Sequence, residues 1–164
     1  MSDKRLYILA GYDEATEACL AHIQNTLYRH GFTGNHTKDI PLHITLGSYP
    51  TDKAKEAELE AFIQALAEKT DPFEITLNSV SIFEEGRVLF IAPDTNRNLL
   101  DLKENFGDSR NWTAHTTMII DEPDVILQAL PVVLKTFKPL RGKITSLHLY
   151  EFFPTRHILS VDFG

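Results

Sequence analysis

The chain has 164 residues, of which 43% are hydrophobic and 24% charged, and its formal net charge is −7. These proportions are those of an ordinary globular protein with enough chain to bury a core. The negative charge argues against a long surface that follows nucleic-acid phosphates, because such surfaces are built from clustered Lys and Arg. A small nucleotide or an RNA end in a local pocket stays compatible with it.

Hydropathy and cysteine usage indicate the compartment. No apolar run approaches the roughly 20 residues of a membrane-spanning helix, and the first residues lack a signal-peptide cleavage pattern. Cys19 is the single cysteine, so an internal disulfide is excluded and a reducing compartment is favoured. Its position in a predicted helix favours a packed core thiol. We therefore expect one cytoplasmic domain over residues 1–164, monomeric and without a membrane partner.

The first half of the chain predicts strand, helix, strand and helix. Residues 6–10 form the first strand, and Asp13 or Thr16 caps a helix that stops at Gly31. A polar loop leads to the second strand. Thr51 and Asp52 then open a second helix, whose apolar residues recur at helical spacing.

The second half repeats this order. The later elements are a hairpin over 73–83 and 87–92, a helix over 95–106, a strand over 112–120, a helix opening at 121–123, and strands over 143–152 and 157–163. Residues 75–83 resemble residues 144–152, which divides the chain into two β-α-β-α-β units and a final strand. Two such lobes, related by a pseudo-two-fold axis, would meet at a shared cleft.

One tripeptide pattern occurs once in each half, as His-Ile-Thr at residues 43–45 and His-Thr-Thr at residues 115–117. The string alone is near the frequency expected by chance in a chain with seven histidines. The context strengthens it, because side chains alternate along a strand and so place each His and its Thr on one face. In the second copy Ala114, Thr116 and Met118 are predicted to project from the opposite face.

These residue types suit phosphodiester chemistry. Imidazole titrates near neutral pH, so one of His43 and His115 can accept a proton while the other donates one. The hydroxyls of Thr45 and Thr117 would bond the non-bridging phosphate oxygens, where charge builds in the transition state. We predict these four residues as catalytic, with either histidine able to act as base. No spacing typical of a zinc site occurs, and we expect neither a metal nor a cofactor.

Two tyrosines are predicted to bind substrate. Tyr7 would stack on a base if the first strand flanks the cleft, and Tyr49, at an even offset from His43, would extend the same face. Three loop cations are interpreted as solvated surface charges: Lys38, Arg110 and Arg156. The remaining histidines are interpreted as structural or solvent-facing: His22, His30, His36, His148 and His157.

The paired motifs resemble those of the 2H phosphoesterase superfamily, which includes 2′-5′ RNA ligase-like proteins and RNA 2′,3′-cyclic phosphodiesterases. The resemblance lies in His43-Ile44-Thr45-Leu46, in His115-Thr116-Thr117-Met118 and in the middle hairpin over residues 73–90. It implies an α+β fold, bilobal and built from duplicated β-α-β-α-β units, with antiparallel sheets around a central cleft.

The resemblance also implies an activity. It is the metal-independent hydrolysis of a cyclic or 2′-5′ phosphodiester, on a small nucleotide or an RNA end and not on DNA, by two-histidine general acid/base catalysis. One alternative is a nucleotide-binding module without turnover. Another is 2′-5′ RNA ligation, or cleavage of a non-RNA phosphodiester, in the same cleft. Binding without hydrolysis across a panel of cyclic phosphates would separate the first alternative from an enzyme.

Overall fold

The alternating segments form strands in the computed structural model, which describes residues 4–35 and 39–164. The strands are β1 (Arg5–Tyr12), β2 (His43–Pro50), β3 (Phe73–Ile82), β4 (Val88–Pro93), β5 (Thr116–Ile120), β6 (Leu140–Phe152) and β7 (Arg156–Asp162). The helices are α1 (Glu14–Arg29), α2 (Lys53–Glu68), α3 (Arg97–Lys103) and α4 (Pro123–Thr136), with a 3₁₀ turn (Glu104–Phe106) after α3. The order of strands and helices follows the predicted pattern.

Side-chain caps begin the helices where the sequence predicts. The carboxylate of Asp13 accepts the Thr16 amide at 3.3 Å, and that of Asp52 accepts the Lys55 amide at 2.8 Å. A carboxylate here satisfies amides that lack a partner in the first turn. Asn96 caps α3, which ends at Lys103 and is followed by the 3₁₀ turn, so the α-helix is shorter than the predicted span over 95–106.

The strands form one antiparallel sheet in the order β2-β1-β6-β3-β4-β5, with β7 also beside β6. The long strand β6 joins the two halves, because it pairs with β1 along one edge and with β3 and then β7 along the other. The α+β fold with antiparallel strands is thus confirmed, and the strands of both halves run into a single sheet.

The helices share one core with the sheet. A single cluster of buried side chains includes residues from all four helices and from the inner faces of the strands. Burying each Leu or Ile contributes about 1.5–3 kcal/mol, which holds the helices against this face. The opposite face is left for the motif side chains. No helix within the described residues is long and apolar enough to cross a membrane.

Two local expectations are wrong. The second motif strand begins at Thr116 instead of Trp112, because its ladder with β4 ends at the pair of Ile91 and Thr116. Cys19 is exposed and not a core thiol. The buried stripe of α1 includes Leu20, which turns the preceding position toward solvent.

Candidate active site

A β-bulge follows the first motif threonine. On β1, Leu9 pairs with Thr45 while the neighbouring Ile8 pairs with Gly47, so Leu46 is an extra residue on β2. Leu46 is fully buried on the helix-covered side, and Gly47 packs close to the 3₁₀ turn on that side. The alternation of side chains along β2 therefore reverses after the motif.

The bulge overturns the prediction for Tyr49. Tyr49 pairs with the core residue Leu6, and its hydroxyl donates to the Phe106 carbonyl at 3.5 Å. The ammonium of Lys55 lies 4.7 Å from the centre of its ring. Tyr49 therefore faces the helices, and the prediction that it extends the histidine face is wrong, because the extra residue Leu46 breaks the even spacing.

The second motif strand has the same irregularity. On β4, Phe90 pairs with Thr117 and Leu89 pairs with Ile119, so Met118 is the extra residue. Met118 and Ile119 are both fully buried. In both strands one bulge thus lets the motif threonine face outward while the two residues after it enter the core.

The two motif histidines are anchored alike. Nδ1 of His43 lies 2.7 Å from the Pro41 carbonyl oxygen, and Nδ1 of His115 lies 2.9 Å from the Thr113 carbonyl oxygen. A carbonyl oxygen can only accept, so each Nδ1 carries a proton and donates it. Nε2 is therefore the atom of each ring that gains or loses a proton at the site.

Burial keeps His43 uncharged. It lowers the pKa of His43 to about 4, against the opposing effect of the Pro41 carbonyl, which favours the charged ring. Positive charge on His148 or His115 would lower this pKa further, because both lie near enough to repel a charged His43.

Burial also lowers the pKa of His115 below its usual value, while the hydrogen bond to Thr113 opposes the shift. The ring packs edge-on against Phe83 and Phe90, with centroids 4.8 Å and 5.3 Å away. These apolar neighbours remove water from one side of the imidazole, which disfavours its charged form.

A cavity of about 220 Å³ opens on the motif face. It brings together four of the predicted site residues, and its lining includes Tyr7, His43, Thr45 and Thr117. Phe152 and Phe153 line it as well, and the Tyr7 ring lies 4.8 Å from that of Phe152. His115 does not line this cavity. It is joined to the first motif through the next residue, Thr116, whose hydroxyl donates to the His43 carbonyl at 3.0 Å.

The sequence interpretation missed His148. Leu9 of β1 pairs with Thr45 on one side and with His148 on the other, which puts His148 on the motif face. A Cβ at Gly11 would lie 2.5 Å from Nε2 of His148, so this ring extends over the β1 backbone toward His43. The interpretation of His148 as structural agrees with the bonds of its ring to Ser146 at 3.3 Å and to Ser160 at 2.7 Å, but it missed how near this ring lies to His43. Strand alternation gives its face, but only the register shows which strand lies beside it.

Two of the loop cations are engaged elsewhere. Arg110 pairs with Asp108 at 2.8 Å, and Arg156 pairs with Glu56 at 2.7 Å and with Glu151 at 3.2 Å. The interpretation of both as surface charges agrees with these contacts. Two further residues of the sequence interpretation lie outside the described part of the chain: His36 and Lys38.

The chemical groups at the site are imidazoles and hydroxyls. Within residues 4–35 and 39–164, no group of three or more His, Cys, Asp or Glu side chains is arranged to hold a metal ion. Two imidazoles with exchangeable Nε2 protons can carry out proton transfer, and two threonine hydroxyls can donate to an anion.

Comparison with known proteins places the chain in a family. The model of the 2′-5′ RNA ligase superfamily matches residues 12–152, which include both motifs. No sequence among the curated proteins matches. Similar solved structures include Escherichia coli LigT in its apo form and in complex with 3′-AMP, each with 15% identity, a TM-score of 0.67 and 99% of both chains covered.

A third similar structure is TT0787 of Thermus thermophilus, with 18% identity, a TM-score of 0.58, and 96% of this chain and 97% of that chain covered. Identities this low show a shared fold. The family match, in contrast, extends over most of the sequence and takes in both His-x-Thr motifs. The chain therefore belongs to the 2′-5′ RNA ligase superfamily, as its resemblance to the 2H phosphoesterases predicts.

Proposed function

We propose that this protein is a metal-independent phosphoesterase that hydrolyses a cyclic or 2′-5′ phosphodiester of a small nucleotide or an RNA end. The observation that carries the proposal is the matched anchoring of His43 and His115, each through Nδ1 to the carbonyl two residues before it. Two imidazoles held in this way present Nε2 as the reactive atom, so one can serve as base and the other as acid. Membership of the 2′-5′ RNA ligase superfamily supports this class of chemistry.

We assign the base to His43 and the acid to His115. The pKa of His43 is lowered to about 4, so its Nε2 carries a lone pair at neutral pH. Burial lowers the pKa of both rings, and repulsion from His148 and His115 lowers that of His43 further. A bound phosphodiester anion would raise the pKa of both rings and favour protonation of His115.

The reaction then needs two proton transfers. Nε2 of His43 takes a proton from water as the water oxygen attacks phosphorus. The bond from phosphorus to the leaving ribose oxygen breaks, and Nε2 of His115 gives that oxygen its proton. The products are a phosphomonoester and a ribose hydroxyl, and exchange with solvent resets both rings. Thr45 and Thr117 would donate to the non-bridging oxygens as their charge grows.

Tyr7 supports a nucleotide as the substrate. Its ring lines the same cavity as His43, Thr45 and Thr117, beside Phe152 and Phe153. Stacking of a base on an aromatic ring contributes about 1–3 kcal/mol and tolerates any base. Structures of LigT, which shares this fold, have been solved with 3′-AMP, ATP, phosphate and NADP+.

One observation favours a second function, a nucleotide-binding module without turnover. Burial lowers the pKa of both histidines, so the ligand-free site lacks a charged imidazole to act as acid at neutral pH. If a bound nucleotide does not restore that proton, the cleft binds without cleaving. Ligation in place of hydrolysis would use the same groups with the proton transfers reversed.

The test is hydrolysis in the presence of a chelator. Nucleoside 2′,3′-cyclic phosphates and 2′-5′-linked oligonucleotides are incubated with the protein, and products are identified by phosphorus NMR. We expect turnover that falls about 10²- to 10⁴-fold in His43→Ala and in His115→Ala. His30→Ala, at the exposed end of α1, is the matched control and keeps the wild-type rate.

Two results would contradict the proposal. Wild-type turnover in either motif variant would remove the two-histidine mechanism. Tight nucleotide binding with no product across the whole panel would instead identify the binding module.

A further inference from the structure

The two motif strands lie at opposite ends of the sheet path and yet touch. Four strands separate β2 from β5 in the order β2-β1-β6-β3-β4-β5. The Thr116 hydroxyl of β5 nevertheless donates directly to the backbone carbonyl of His43 in β2 at 3.0 Å. Thr116 directly follows His115, so one hydrogen bond and one peptide unit connect the two histidine residues.

A third residue completes this connection. The Tyr12 hydroxyl lies 2.6 Å from Oγ1 of Thr116. Thr116 has one hydroxyl proton, which it gives to the His43 carbonyl, so Tyr12 is the donor in this pair. Tyr12 is 5% exposed and Thr116 is 1% exposed. We call the chain from the Tyr12 hydroxyl through the Thr116 hydroxyl to the His43 carbonyl the motif brace.

Thr116 is a polar residue at a buried position. The equivalent residue of the first motif is the apolar Ile44, which is fully buried. Packing alone would accept Val or Ile at position 116, and a buried hydroxyl without partners would cost free energy. The hydroxyl of Thr116 is instead satisfied on both sides, by Tyr12 and by His43.

We propose that the motif brace sets the separation of His43 and His115, which makes Thr116 and Tyr12 positioning residues for the reaction. This inference rests on the proposed function. Displacement at phosphorus needs both Nε2 atoms in place at once, and a misplacement of about 1 Å can cost on the order of 10²-fold in rate. Without the brace, the separation depends on the curvature of the four intervening strands.

Isosteric substitution tests the brace. Thr116→Val removes the donor to the His43 carbonyl and keeps the volume. We expect kcat to fall roughly 10- to 100-fold while KM changes less than about threefold, because the two proton transfers depend more steeply on the separation of the Nε2 atoms than substrate binding does. Thr116→Ser keeps the hydroxyl and restores most of kcat. Tyr12→Phe removes only the outer bond and has an intermediate effect.

The matched control is Thr136→Val. The Thr136 hydroxyl donates to the Val132 carbonyl at 2.8 Å inside α4, so the same substitution loses the same type of bond away from the cleft. The value of kcat should stay at that of the wild type in this variant. Equal losses of kcat in the two valine variants, or no rescue by Thr116→Ser, would overturn the brace as a positioning device.

A ligand-free measurement separates this inference from the proposed function. NMR titration of the imidazoles gives the pKa of His43, which burial lowers most and which repulsion from His148 and His115 lowers further. If Thr116→Val lets the motif strands move apart, water reaches the His43 ring and repulsion from His115 weakens, so this pKa rises. An unchanged pKa would overturn the brace even if no substrate is found. A changed pKa in a protein without turnover would support the brace and reject the enzyme.

Discussion

At the scale of single side chains, a backbone carbonyl decides which ring nitrogen of each motif histidine titrates. The carbonyls of Pro41 and Thr113 accept from Nδ1, and this leaves Nε2 as the titrating atom in both rings. Burial then holds both rings uncharged in the empty site. A site of this kind would bind its proton together with an anion, because the negative charge of a phosphate stabilises the positive imidazolium that burial disfavours.

This burial predicts how stability depends on pH. The pKa of His43 is about 4 in the folded protein and 6.5 in an unfolded chain. The unfolded state therefore binds more protons between these values, and the free energy of unfolding falls as the pH drops from about 6.5 to about 4. The full effect is on the order of 3 kcal/mol.

Urea unfolding at pH 7 and pH 4.5 tests this dependence. The free energy of unfolding should fall less between these two pH values in His43→Gln than in the wild type. His30→Gln, on an exposed residue, should lose as much as the wild type, and equal acid losses in both variants would contradict the prediction.

For helices and strands, the cap of α1 does more than begin a helix. Oδ1 of Asp13 also accepts the Lys143 amide of β6 at 2.8 Å, and the Thr16 hydroxyl at 2.6 Å. These bonds join α1 to the strand that both halves of the sheet share, and they hold the pKa of the Asp13 carboxyl below its usual value despite its partial burial. Asp13 thus links a helix end to the centre of the sheet.

We expect Asp13→Ala to lower the free energy of unfolding by about 2 kcal/mol or more, from a lost cap and an unpaired amide on β6. Asp52→Ala is the matched control, because Asp52 caps α2 through the Lys55 amide. Its loss should be about 1 kcal/mol. Chemical denaturation of the two variants compares these values, and equal losses would show that the bond to β6 contributes nothing.

At the scale of the whole molecule, one face of the sheet packs in the core and the other face carries the candidate site. Residues on the helix-covered face pack in the core, and residues on the other face line the cavity. Tyr7 and Tyr49 lie on different faces although both were predicted to bind substrate. Tyr7→Ala should weaken nucleotide binding roughly 10- to 100-fold. Tyr49→Ala should leave binding unchanged and cost about 2 kcal/mol of folding free energy. Calorimetric binding of 3′-AMP and thermal unfolding of both variants distinguish the two, and weaker binding in Tyr49→Ala would place that ring at the site.

Sequence patterns predict the parts of this structure that depend on local periodicity. The order of elements and the caps at Asp13 and Asp52 follow from alternation, helical spacing and N-cap chemistry. The faces of His43 and Thr45 follow in the same way. The face of Tyr49 was predicted wrongly because it depends on the bulge at Leu46. A bulge does not change the hydropathy pattern when the extra residue is itself apolar.

The sequence also does not predict which residues distant in the chain become neighbours. His148 lies near His43 because β6 pairs with β1, and a strand of thirteen residues can pair in many registers. Thr116 was assigned correctly to the inward face, but the sequence does not show that its hydroxyl meets Tyr12 and the His43 carbonyl of β2. Both features depend on which strands become neighbours, and that is decided by packing of the whole core.

The extra residue at Leu46 gives β2 a change of phase within a single strand. Deleting that one codon would remove the bulge and keep the present register, because Thr45 would still pair with Leu9, and Gly47 would still pair with Ile8. Every later side chain of β2 would stay on its present face, and the core would lose only the buried side chain of Leu46. In a regular strand the same deletion would turn all the later side chains over, so the bulge makes this strand tolerant of a one-residue deletion at Leu46.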